Sequence, residues 1–167
     1  MLTTPFEKLP DSARVWVYGA DRDLDKAAEV TLLGEVDNYL TKWTAHGTPL
    51  SAARDWRWGR FLTIAVDQAQ AGASGCSIDG LFRALKSLEQ RLGASIVTSG
   101  LIFFRGKDGE IRSVSRDEFG ELGASGEVDA ETEVFDLSVT TLGEWRARFA
   151  SRAGSSWHSA LLAARAR

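Results

Sequence analysis

Two rhythms of apolar and polar positions run along this chain, one with a period of two and one with a period near 3.6, and they divide it into strands and helices. Ala13–Tyr18 (ARVWVY) is β-branched and aromatic, bounded by Pro10-Asp11 and Gly19, and reads as a strand. From Leu24 to Trp43 the apolar residues Leu32, Leu33, Val36, Tyr39, Leu40 and Trp43 recur at three- and four-residue spacings, one face of a helix. Asp21, Asp23 and Asp25 suit the positive end of its dipole, and Ala45-His46-Gly47 with Pro49 beyond should end it. Ala53–Trp58 and Arg60–Asp67 read as two strands joined at Gly59, the second apolar enough to be central. A small-residue loop, Gln68–Ser77, leads into Ile78–Leu92, where Ile78, Leu81, Phe82, Leu85, Leu88 and Leu92 give the cleanest helical period in the chain. Ile96–Phe104 is a further strand, turned at Gly106–Gly109 into Ile111–Val114.

The order strand, helix, strand, strand, helix, strand is the split βαβ arrangement, so the pattern predicts an α+β protein with a ferredoxin-like βαββαβ core over residues 1–114. Beyond Val114 the texture changes. Ser115-Arg116-Asp117-Glu118 and Thr141-Leu142-Gly143-Glu144 are capping boxes that each precede a short apolar run. Between them, residues 123–136 are acidic and loop-like, with Thr132–Phe135 a short strand. Residues 115–167 are therefore expected to be a C-terminal extension of short helices and a strand, packed on the core as one globular unit.

Composition narrows the partners. With 44% hydrophobic and 26% charged residues the chain has the make-up of a soluble globular protein, and 20 basic against 23 acidic residues leave a net charge of −3. That balance argues against a nucleic-acid partner, and no apolar run is long enough for a membrane span. The longest, Leu101-Ile102-Phe103-Phe104, lies far inside the chain, while Pro5, Glu7, Pro10 and Asp11 break up the N-terminal stretch where a signal peptide would be apolar. A single cysteine excludes an internal disulfide and suits a reducing cytoplasmic setting.

That cysteine is the main chemical lead. Ala71-Gly72-Ala73-Ser74-Gly75-Cys76-Ser77-Ile78-Asp79 follows the central strand and places Cys76 at the first turn of an amphipathic helix. Unpaired N–H groups and the helix dipole there favour a thiolate, and the same N–H groups can receive an oxyanion. Gly72 and Gly75 would admit a substrate close to the backbone, with Ser74 and Ser77 beside it. A buried cysteine in a tight strand–helix connection is the alternative. The two histidines, His46 and His158, are candidate general bases for Cys76, with Asp79 orienting the imidazole, and the adjacent Trp43 and Trp157 are candidate walls of a substrate pocket. Cys76, His46, His158 and Asp79 could also make a mixed metal site, but no ligand pair has zinc-like spacing, so neither a metal nor another cofactor is expected. Gly100–Asp108 ends in Gly-Lys yet has five bulky residues between its glycines and Asp after the Lys, so it is no phosphate loop. Six tryptophans could form core, pocket walls or an interface, and the arginines from Arg146 to Arg167 read as a solvated helix face.

The stretches Ala13–Tyr18, Trp43–Gly47, Ala71–Asp79 and Ser156–His158 together resemble a family of short bacterial proteins of unknown function. Its members often carry the label of ABC-transporter ATPase, which this chain, without a phosphate loop, gives no support. The resemblance supplies a grouping and concentrates on Cys76, His46 and His158. Three readings follow: a thiol-dependent enzyme for acyl transfer, hydrolysis or redox chemistry; a non-catalytic module, monomeric or homodimeric, that binds a small molecule or protein; and a metal or haem site at the histidines.

Overall fold

The computed structural model describes residues 5–45, 48–49, 51–68 and 75–165. The chain is an α+β protein, and the described residues fall into two compact units, the first containing 1–98 and 138–146, the second 99–137 and 147–167.

The first unit is built on an antiparallel sheet of β1 (Arg14–Gly19), β4 (Ser51–Arg57) and β5 (Phe61–Asp67) in the order β1-β5-β4. Helices α1 (Lys26–Lys42) and α2 (Gly75–Leu92) pack on one face, and a two-residue pair, β2 (Thr44–Ala45) with β3 (Thr48–Pro49), links α1 to β4. Asp25 caps α1 by accepting from the Ala28 N–H at 2.8 Å, a carboxylate where the dipole favours one. Leu62, Ile64 and Val66 of the central strand share a buried cluster with Leu32, Val36 and Leu40 of α1 and Leu81, Leu85 and Leu88 of α2. The intervening Phe61, Thr63 and Ala65 point to the opposite face and are just as fully buried. There Phe6 of a 3-10 turn meets Trp145 edge-on at 5.1 Å, and the Arg57 guanidinium lies 4.4 Å above the same indole. Burial on both faces is what made β5 read as a central strand.

The fourth strand of a ferredoxin-like core is where sequence and structure part. The apolar run forms β6 (Leu101–Arg105), which pairs with β7 (Ile111–Ser115) and β8 (Glu133–Phe135), not with β1. With β9 (Ala150–Arg152) these make the second unit's antiparallel sheet, in the order β7-β6-β8-β9. The free edge of β1 is instead met by two separate segments. At its C-terminal end the Asp21 N–H donates to Ser95 (3.0 Å) and the Thr98 hydroxyl to the Gly19 carbonyl (3.2 Å). At its N-terminal end the Val15 N–H donates to Thr140 and the Leu142 N–H to Ala13, both at 2.9 Å. Periodicity could not reveal this, because Ile102, Phe103 and Phe104 are buried on both faces and read as a central strand whichever sheet holds them.

The second unit carries α3 (Arg116–Ala124) and α5 (Ser159–Arg165), while α4 (Leu142–Arg148) supplies Leu142 and Trp145 to the first. Ser115 caps α3 as its capping box predicts, its hydroxyl accepting from the Glu118 N–H at 3.1 Å. Ile102, Phe104, Phe119, Val128, Val134 and Ala153 form a core cluster, so β6 and β7 pack with the elements that follow residue 114.

Candidate functional site

Among the described residues helix α2 covers Gly75–Leu92, so Gly75, Cys76 and Ser77 are helical, where the apolar period alone begins at Ile78. The described helix runs 18 residues and has no acidic residue in its first described turn. Asp79 follows three residues after Cys76, on the same side of the helix, and is exposed. His46, Gly72 and Ser74 lie outside the described residues, as do the side chains of Cys76 and Ser77.

The antiparallel register fixes what shares an end of the sheet with α2's first turn. Ser51 pairs with Asp67 and Arg14 with Val66, so the start of β1, the start of β4 and the end of β5 lie together. Helix α1 runs back along the sheet from the opposite end, and its last turns meet the beginning of α2: a side chain at Gly80 would collide with the Tyr39 hydroxyl. The first strand–helix connection and the last turn of α2 meet at the far end, where the Asp21 carboxylate accepts from the Ser95 N–H at 3.0 Å. The C-terminus of α1, the β2–β3 hairpin that brackets residues 46–47, and the N-terminus of α2 therefore gather at one end of the first unit.

Trp43 closes α1. It is 5% exposed within the core cluster, tilts against Tyr39 at 6.0 Å, and its indole N–H has no acceptor among the described residues. Tyr39 is partly buried, and desolvation raises its pKa against the opposing charge of Arg83, so its hydroxyl stays protonated through the neutral range. Neither Tyr39 nor Gly80 stands out in the sequence as more than a helix-face residue. The available signal was the four-residue step from Cys76 to Gly80, which puts a gap in the side-chain stripe one turn below the cysteine.

His158 and Trp157 belong to the second unit and serve each other there. The Trp157 ring, 39% exposed, stacks on the imidazole at 4.0 Å with Arg116 above it at 5.3 Å, while Phe119 meets the imidazole edge-on at 6.2 Å. Nδ1 lies 2.9 Å from the Ser156 hydroxyl. At 1% exposure His158 has its pKa lowered to about 4 by burial, with the Arg116 charge adding to the effect and Asp136 opposing it. The ring is neutral at pH 7.

An open groove of ≈ 320 Å³ runs along the outer side of β4, lined by Ala52, Ala53 and Arg54, with Leu40 of α1 on one wall and Phe6 on the other. Arg54 is held in it by a two-point ion pair to Asp37 at 2.7 and 2.9 Å. Among the described residues no group of three acidic, histidine or cysteine side chains is placed to hold a metal ion, and no helix is long and apolar enough to cross a membrane. Compared with protein-family models, curated proteins and solved structures, the chain matches none.

Proposed function

We propose that this protein is a thiol-dependent enzyme of the cytoplasm, with Cys76 as nucleophile and His46 as its general base, acting in acyl transfer or hydrolysis. The observation that supports the reading is that Cys76 lies in the first described turn of the long helix α2, a turn without acidic residues. The gathering of α1's end, the β2–β3 hairpin and α2's beginning supports His46 over His158 as the base. The imidazole of His158 is enclosed in the other unit by Trp157 and Phe119. The resemblance to short bacterial proteins falls on the same stretches, Trp43–Gly47 and Ala71–Asp79. The first unit itself we read as a ferredoxin-like core whose fourth-strand position is divided between residues 95–98 and 140–142.

The chemistry follows from these parts. The thiolate attacks an acyl carbonyl, and N–H groups of α2's first turn stabilise the oxyanion. Collapse breaks the bond to the leaving group, which takes its proton from the His46 imidazolium and leaves a thioester on Cys76. Water then attacks the thioester, giving its proton to His46, and the thiol is regenerated. Treatment with 4-nitrophenyl acetate should yield a single acetyl adduct on Cys76 by intact mass, with a burst of nitrophenolate. Cys76→Ser should lose the burst with its fold unchanged, and His46→Gln should slow it at least tenfold while His158→Gln does not.

The groove along β4 favours a second reading, a binding module in which Cys76 is packing. An unreactive folded thiol that acylates only after unfolding would select it.

A further inference from the structure

Strand β4 is the last strand of its sheet, and its outer edge lies in the open groove of ≈ 320 Å³. Register fixes the direction of its backbone groups. The Ala20 N–H donates to the Arg60 carbonyl, so even-numbered residues of β5 bond to β1 and odd-numbered ones to β4. In β4 the residues that bond to β5 are therefore Ser51, Ala53, Asp55 and Arg57, while Ala52, Arg54 and Trp56 turn their N–H and C=O groups outward. Among the described residues no strand pairs with that edge. A proline or a bulge commonly closes such an edge; β4 has neither, and it presents alanine at 52 and 53. Asp37, Leu40 and Thr41 of α1 stand on the helix side of the groove, and Pro5 and Phe6 on the other. Open donors and acceptors that recur at every second residue are matched by an extended chain.

Arg54 supplies selectivity. Its Nε and Nη2 donate to Asp37 at 2.7 and 2.9 Å, which leaves Nη1 to donate elsewhere. On an added strand the residue directly opposite Arg54 points to the same face, and a carboxylate there can accept from Nη1. A second copy of β4 laid antiparallel and centred on this edge would instead set Arg54 opposite Arg54, like charges that oppose pairing.

We propose that the outer edge of β4 binds an extended peptide as an added strand of the first unit's sheet, with an acidic residue of that peptide opposite Arg54. Main-chain bonds to Ala52, Arg54 and Trp56 hold the peptide, and the Arg54 guanidinium sets its register. The site does not depend on the chemistry of Cys76.

The probe is a capped heptapeptide of threonine and valine with one central glutamate, added to the full chain and followed by amide exchange. At saturation the amides of Ala52, Arg54 and Trp56 should slow about tenfold, while those of Ala53 and Asp55, already bonded to β5, should not change. The same peptide with lysine in place of glutamate should bind about fivefold more weakly. Arg54→Gln should erase that preference and keep the alternating protection. Uniform slowing along residues 51–57, or none with the glutamate peptide at millimolar concentration, would overturn the site. Equal affinity for the two peptides would overturn the role of Arg54. Slowing of the same three amides that grows with protein concentration in the absence of peptide would put a second copy on this edge and overturn a peptide as its occupant.

Discussion

Replacing Phe119 with alanine is expected to cost the second unit about 3–5 kcal/mol, the range for removing a large aromatic side chain from a packed core. The ring is 0% exposed and lies edge-on to Phe104 at 5.5 Å and to His158 at 6.2 Å. It therefore joins helix α3, strand β6 and the histidine in one cluster, and the void left behind borders all of them. Amide exchange reports the effect where it occurs: amides of β6 and β8 should lose protection. Val30→Ala on the exposed side of α1, at 60% exposure, should change stability by less than about 0.5 kcal/mol and serves as the comparison. Equal effects of the two substitutions would mean that Phe119 does not hold this core together.

Acid should weaken the second unit through His158 well before carboxylate titration is complete. Its pKa falls from an ordinary 6.5 to about 4 in the folded chain, so between those values the unfolded chain binds the proton more readily. The stabilising contribution of the neutral ring is fully present above pH 6.5 and is lost as pH falls through this window. A shift of this size corresponds to about 3 kcal/mol once the window has been crossed. His158→Gln should be less stable than the parent at neutral pH and should show a flatter dependence, so that the two curves converge towards pH 4. Parallel curves over that window would show that the imidazole titrates normally, contrary to an enclosure by Trp157, Phe119 and Ser156.

The elements were more legible than their assembly. Strand β5 and helix α2 declared themselves because both present fully apolar faces at the right period, and the cap at Ser115 followed from four consecutive residues. The apolar period of α2 begins only at Ile78, and it was the small-residue loop before it that placed Cys76 at the helix's first turn, where the described helix includes it. The destination of β6 was hidden for a different reason: a strand buried on both faces carries no record of which sheet buries it. The pairing of Val15 with Thr140 joins positions far apart in the chain through backbone groups alone, which leave no trace in side-chain pattern.

The candidate site shows the same division. The sequence singles out Cys76 through chemistry and local setting, and Trp43 and Trp157 through their neighbours. It could not say which residues share an end of the first unit with Cys76, because that depends on which ends of α1 and α2 meet. The contact of Tyr39 with Gly80 decides the direction of the helix pair, and it does so through the one residue type that offers no side chain to read.

The most direct test of the thiol reading is the rate of Cys76 alkylation as a function of pH in the folded, unmodified chain, followed by intact mass. A thiolate stabilised by the first turn of α2 predicts a rate already on its plateau below pH 7. A rate that climbs only around the free-thiol value of about 8.5, or appears only when the protein is unfolded, would contradict it and make Cys76 a packing residue.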